Sequence, residues 1–375
     1  MTHEQCLSRR GGGIEVNDSG VPTGDDPPGP ADVGILDELD SAWKTIMGNA
    51  NPFPAAVYAT LHLHGGDKIT MTSGLIEAGN NHTTTHISLG DRSVLLSSLV
   101  AAGKIAARSF GFDAGSQSYW APRQGGLVLG GTDEGARVGT EVRFDMTYNR
   151  MVGKRYCALQ VNIKNMVLRP ADGGADYPLG IEATHPQLSC LEMYDNHPRL
   201  PRSVIRSLQD GFKSFTGYTG DSIYYTAANP TAPPSSDAMM RQLEQIYIPE
   251  PGLIYPYNNL TSKFKGSLVI TLNSNLTVDG DDFVVEIPAE ELYNPVRGIA
   301  RDGTQVVNTN FTQLAVYQDE APIEAAVLGK GFLSRAYLYV NYDENYFTLT
   351  HAATSGSTIL VPTGGDNGSC GGNGS

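Results

Sequence analysis

Few residues in this chain have the type and spacing that chemistry needs. Four cysteines occur: Cys6, Cys157, Cys190 and Cys370. They contain no Cys-x-x-Cys pair, and no Cys/His cluster has metal spacing. Cys157 and Cys190 can make one disulfide, and Cys6 and Cys370, in glycine-rich ends, can be unpaired remnants. The spacing alone does not choose between pairings. His62 and His64 stand two apart in HLHGG, without a third ligand, so no metal and no other cofactor is expected. A serine nucleophile would need Gly-x-Ser-x-Gly, which the chain lacks. The glycines of GGLVLGG, residues 125–131, lack the Lys-Ser/Thr of a phosphate loop. Asp18-Ser19-Gly20 is the one Asp-Ser-Gly, and a Pro/Gly-rich run follows it, which is turn composition.

Asn-X-Ser/Thr acceptors stand at Asn17, Asn81, Asn259, Asn275, Asn310, Asn367 and Asn373. Together they favour a secreted glycoprotein, with Asn81, Asn259, Asn275 and Asn310 as the candidate glycan sites. The N-terminus, MTHEQCLSRR, has no apolar core, so no signal peptide is expected here, and the chain reads as one that has lost its true N-terminus. A formal net charge of −14 argues against nucleic acid and against an anionic membrane surface. No apolar run of about 18 residues is present, so no membrane span is expected.

The elements that must position such residues are mostly strands. Residues 1–50 are Gly-, Pro- and Asp-rich and read as disordered or remnant. PAAVYATLHLH alternates at strand period. SVLLSSLVAAGKI, residues 93–105, puts Val94, Leu95, Leu99 and Ala102 on one helical face, with Gly103 as its stop. A second helix is expected at about 203–216, with Val204, Leu208, Phe212 and Phe215 as its buried stripe. Short strands with turn signals fill the rest, and Gly-Gly on both sides of LVL marks a sheet edge. The aromatic run YIPEPGLIYPYNN, residues 247–259, reads as a packed loop rather than a ligand platform. Residues 363–375 form a Gly/Ser/Asn tail.

Three segments, in order, resemble the pepsin-type aspartic peptidases of the fungal kind. The first, residues 93–144, is similar to the family's Ser-Leu-Leu helix, its Arg-Ser-Phe-Gly strand and its Gly-x-Leu-x-Leu-Gly-Gly-x-Asp. The second, AAVLGKGFLSRAYLYVNYDENYFTLTHA, residues 325–352, resembles the family's closing signature. In it Leu328-Gly329 holds the hydrophobic-Gly step beneath the second catalytic carboxylate, and Phe332, Leu333, Ala336, Tyr337, Tyr342 and Asp343 fill the following positions. The third, LSCLEMYDNHPRLPRSVIRSLQDGF, residues 188–212, lies where the second catalytic Asp-Thr/Ser-Gly belongs, and there the catalytic position falls on Glu192. Fainter matches are SGLIEAGNN at 73–81 and CLSRRGGGIEVND at 6–18.

The resemblance implies a mainly β, pepsin-like bilobal acid-protease fold with an incomplete N-terminal lobe and two short helices. It assigns 51–144 to a partial N-terminal lobe and 145–362 to the C-terminal lobe. It implies an endopeptidase acting on peptide or protein substrates, secreted, and a monomer is expected. The chemistry uses two carboxylates close enough to share one proton. Here Glu192 is one methylene too long, and a misplacement of about 1 Å can cost about a hundredfold in rate. Met193 and Tyr194 supply neither the hydroxyl nor the glycine that follows the family's aspartate. The remaining candidate for the first aspartate is Asp18, in its turn-like setting. The expected outcome is an inactive or weakly active member, the alternative being a non-catalytic protein that binds a peptide or a cell-wall polysaccharide.

Overall fold

The computed structural model describes residues 56–62, 68–74, 89–148, 151–181, 187–193, 197–216, 223–225, 243–248, 252–256, 264–273, 282–318 and 326–363, apart from isolated positions within these spans. Asp18, Asn17, Asn81, Asn259, Asn275, Asn367, Asn373, Cys6, Cys370, His64 and Tyr194 lie outside the described residues. The chain is mainly β. It divides into two compact units: residues 1–106 with 301–304, and residues 107–300 with 305–375.

In the first unit β1 (Ala56–His62) pairs antiparallel with β2 (Lys68–Gly74), from Ala56↔Gly74 to His62↔Lys68. Helix α1 (Val94–Ala101) packs on β2. Ser93 caps it, its Oγ accepting from the Leu96 N–H at 3.1 Å. Its buried residues are Leu95, Leu96 and Leu99. This corrects the predicted stripe: Leu96 takes the place of Val94 and Ala102, and Ala102 is exposed. Gly103 follows at φ +64, the left-handed backbone that glycine adopts without strain.

In chain order the second unit runs β3 (Ser109–Asp113), β4 (Gly126–Leu129), β5 (Gly131–Asp133), β6 (Arg137–Asp145), the short pair β7 (Met151–Val152) and β8 (Arg155–Tyr156), the long β9 (Gln160–Pro170), β10 (Tyr177–Pro178), β11 (Gln187–Leu191), β12 (Arg199–Leu200) and helix α2 (Arg202–Thr216). It continues with β13 (Ile223–Tyr225), β14 (Ile246–Tyr247), β15 (Gly252–Pro256), β16 (Gly266–Asn273), β17 (Asp282–Pro288), the one-turn α3 (Ala289–Leu292), β18 (Tyr293–Ala300), β19 (Gln305–Leu314), β20 (Tyr317–Gln318), β21 (Ala326–Leu328), the one-turn α4 (Lys330–Leu333), β22 (Ala336–Asn341), β23 (Tyr346–Ala352) and β24 (Leu360–Pro362).

One sheet has the order β4-β3-β22-β23-β6, so segments some two hundred residues apart in sequence share it. The boundary expected at 144/145 falls at the end of its strand β6. β4 sits at an edge, as its flanking glycines predict. Phe144 and Phe347 stand opposite each other and stack at 5.0 Å, a cross-strand pair of the kind that fixes register. Gly111 in β3 is glycine for a reason: a Cβ there would come within 2.0 Å of the Tyr337 hydroxyl oxygen.

A larger sheet runs β17-β16-β9-β11-β21-β12-β20, with β10 on β9. β9 is interior and mostly buried on both faces, hence its apolar Val161, Ile163, Met166, Val167 and Leu168. β17 is an edge strand with one wet face: Phe283, Val285 and Ile287 are buried, Asp282, Val284 and Glu286 exposed. Helix α2 covers this sheet with Val204, Ile205, Leu208 and Phe212. Gly211 lets it approach closely, since a Cβ would come within 2.7 Å of Leu168 and 2.9 Å of Tyr177. A five-stranded sheet, β13-β15-β19-β18-β14, completes the unit. It takes in part of the aromatic run read as a loop: β14 and β15 are strands, and Ile248 and Ile254 are buried with Val296 and Phe311.

Candidate functional site

Strand β21 is inserted between two strands that follow each other in the chain. β11 runs parallel to it, with Ser189↔Ala326, Cys190↔Val327 and Leu191↔Leu328. β12 meets its other side antiparallel at Arg199↔Val327. A three-residue strand enclosed on both sides must be apolar, and Ala326, Val327 and Leu328 are all buried. At the end of β11 the ladder extends one residue further: the Glu192 N–H donates to the Leu328 carbonyl at 3.0 Å. Gly329 therefore lies beside Glu192. It heads α4, accepting from the Phe332 and Leu333 N–H groups at 3.0 and 3.1 Å. Its φ of −97 is open to any residue.

Two constraints hold this crossing. Cys157 and Cys190 are joined by a disulfide, with Cα atoms 6.0 Å apart, and they pack against Val327 and Leu188. The bond ties β11, two residues before Glu192, to the turn between β8 and β9. The second constraint is electrostatic. Arg199 Nη2 lies 3.2 Å from Glu192 Oε2, and the Arg199 side chain is only 5% exposed against 24% for Glu192. A guanidinium so buried needs a counter-charge, and Glu192 supplies one.

Sequence reasoning singled out Glu192 and missed Arg199. No local signal marked it: in β12 Arg199 faces opposite to Leu200, and its burial comes from both faces of that strand being covered. Among the described residues no group of three or more His, Cys, Asp or Glu side chains is placed to hold a metal ion, and no helix is long and apolar enough to cross a membrane. Of the candidate glycan sites, Asn310 is described: it is exposed on β19, its N–H bonded to Asn308 Oδ1 at 3.0 Å.

The segments that carry the resemblance also touch one another. Arg108, before β3, holds Asp343, after β22, through its backbone N–H at 2.8 Å and its Nε at 2.7 Å. Those contacts, the backbone one foremost, hold the Asp343 carboxyl below its ordinary value of 3.8. The Asp133 N–H donates to the Tyr337 hydroxyl oxygen at 2.8 Å, and burial pushes that phenol up to about 12. No protein-family model matches the chain, and no curated protein matches it.

Proposed function

We propose that this chain is a pepsin-type aspartic-peptidase-like protein, secreted, in which Glu192 occupies the second catalytic position and does not support peptide cleavage. The observation that carries the reading is the crossing at Glu192: β21 enclosed by β11 and β12, with Glu192 at the end of β11 bonded to Leu328 beside Gly329. That is where the resemblance puts a carboxylate above a hydrophobic-Gly step. Two further contacts support it, because Arg108–Asp343 and Asp133–Tyr337 each join a residue of the first motif segment to one of the last. The Cys157–Cys190 disulfide fits an oxidising compartment.

Inactivity follows from the chemistry of the position. A catalytic pair needs two acids sharing one proton, with one as base toward water and the other as acid. Glu192 is instead matched with the buried Arg199. An ion pair that neutralises a buried cation does structural work, and it ties down the carboxylate that a reaction would use. The same pair favours the second reading, a non-catalytic protein that binds its ligand without cutting it. Titration with a pepstatin-type transition-state mimic tests both. A working dyad binds such a mimic at least about a hundredfold more tightly than a matched substrate peptide. The expected result is no such preference. Tight binding that Glu192→Gln abolishes would overturn the proposal.

A further inference from the structure

A groove of the second unit shares no lining residue with the Glu192 crossing. It has a volume of about 1100 Å³. Its exposed aromatic is Trp120, 41% accessible. The indole and the buried Tyr293 ring meet in a T, with centroids 6.5 Å apart and planes at 86°. The loop beneath it is fixed by the buried Ser118, whose Oγ donates to the Glu290 carbonyl at 2.6 Å and accepts from the Trp120 and Ala121 N–H groups at 3.3 Å. An exposed indole is thus held at the groove by buried contacts.

The polar lining is a network of exposed ion pairs. Arg169 spans Asp176, through Nε at 3.2 Å and Nη2 at 3.1 Å, and reaches Glu286 at 3.4 Å. Glu286 accepts in turn from Ser267 Oγ at 2.6 Å. Each of these carboxylates keeps lone pairs beyond the ones so used. Two cations, Arg169 and Lys265, face three carboxylates, Asp176, Glu286 and Glu290, so the lining attracts neither a polyanion nor a strongly basic ligand. Phe264 and Tyr293 are buried, and the floor includes Gly173, Gly174 and Gly266. A peptide would need separate apolar pockets for alternate side chains, and Trp120 is a single platform.

We infer that this groove binds a neutral saccharide chain, one sugar ring stacking its C–H face on Trp120 while hydroxyls of that ring or the next bond to the Arg169–Glu286–Asp176 network. Apolar on its faces and hydroxylated around its rim, a sugar ring matches an aromatic plane bordered by planar polar groups. The groove exceeds the roughly 300–1,000 Å³ that drug-sized ligands take, which leaves room for several rings. The site is independent of the Glu192 reading and is tested without peptide hydrolysis.

The test is calorimetric titration of the full chain with neutral hexasaccharides of β-1,3-glucose, β-1,4-glucose and β-1,4-xylose, a high-mannose glycoprotein as a second source of sugar rings, and a neutral decapeptide mixture as control. Saturable binding of at least one saccharide is expected. Trp120→Ala should weaken it about tenfold or more, Glu286→Gln should weaken it, and Trp120→Phe should retain most of it. Binding by the glycoprotein alone would place the ligand on proteins rather than on free polysaccharide, still at this groove if Trp120→Ala removes it. No saccharide binding, binding indifferent to Trp120→Ala, or binding of the peptides alone would overturn the inference. Circular dichroism melts of each variant separate lost binding from lost folding.

Discussion

Removing the charge of Glu192 should destabilise the protein, and removing its partner as well should restore much of the loss. At 3.2 Å the pair attracts with about 5 kcal/mol before desolvation, taking an effective dielectric near 20. Desolvation offsets much of this in the intact pair, so the pair as a whole adds little. Breaking it is different. Glu192→Gln takes one counter-charge from a guanidinium only 5% exposed, whereas Arg199→Met leaves a carboxylate that is 24% exposed and can draw water. Breaking a buried pair costs about 3–5 kcal/mol, and the partial exposure of Glu192 trims this to about 2–3 kcal/mol for Glu192→Gln. At roughly 2 °C per kcal/mol for a unit of this size, the melting point should fall by about 4–6 °C. The double variant Glu192→Gln/Arg199→Met should recover at least about half of that. Differential scanning calorimetry near neutral pH of the parent, both single variants and the double variant closes the cycle. A catalytic carboxylate held in strain would behave in the opposite way, gaining stability when neutralised. A melting point unchanged or raised in Glu192→Gln would refute the structural role given to this residue.

Other outcomes follow from contacts elsewhere. The Cys157–Cys190 bond closes a loop with a sequence separation of 33, worth about 3.7 kcal/mol by chain entropy. The Cys157→Ala/Cys190→Ala variant should therefore unfold at markedly lower urea, with a steeper slope because the uncrosslinked unfolded chain exposes more surface. Tyr337, raised to about 12 by burial, contributes stability that is whole below its unfolded value of 10.0 and lost as pH rises between the two. That is about 2–3 kcal/mol, and the alkaline loss should be smaller by this amount in Tyr337→Phe, measured by urea titrations at both ends of that range. Asp343 is lowered by the Arg108 contacts, so its contribution is present above 3.8 and fades as pH falls below it. Asp343→Asn should cost under about 1 kcal/mol at neutral pH, since both partners are over a third exposed, and the gap to the parent should close under acid.

Much of the fold was legible because burial leaves a period in the sequence. The edge strand β17 alternates, and α2 repeats its apolar positions at helical spacing, with Val204, Leu208 and Phe212 buried and Phe215 half-buried. Glycine told a position's role at Gly103, which stops α1 at φ +64, whereas only the contacts show why Gly211 beside Leu168 and Gly111 beside Tyr337 carry no side chain. What period could not supply was the choice among several apolar residues in one turn. In α1, Leu95 and Leu96 both go inward, so a stripe drawn from spacing alone left one of them out. The run from Tyr247 to Asn259 reads as a loop because prolines and tyrosines dominate it, yet pairing of β14 with β18 and β15 with β19 makes strands of part of it. Long-range pairing of this kind has no local signature. The site was legible to the same degree. Glu192 could be named from the order of motifs, but its partner lies on the next strand, and only the insertion of β21 makes neighbours of the two.

The central claim meets its most direct test in cleavage of a quenched peptide library at about pH 4, where a carboxylate pair would hold one shared proton. The folded chain and its Glu192→Gln variant are assayed side by side, with and without the transition-state mimic. Neither should release product above the blank. Turnover by the parent that the mimic blocks and that Glu192→Gln abolishes would mean that Glu192 works as a catalytic carboxylate, and would contradict that claim.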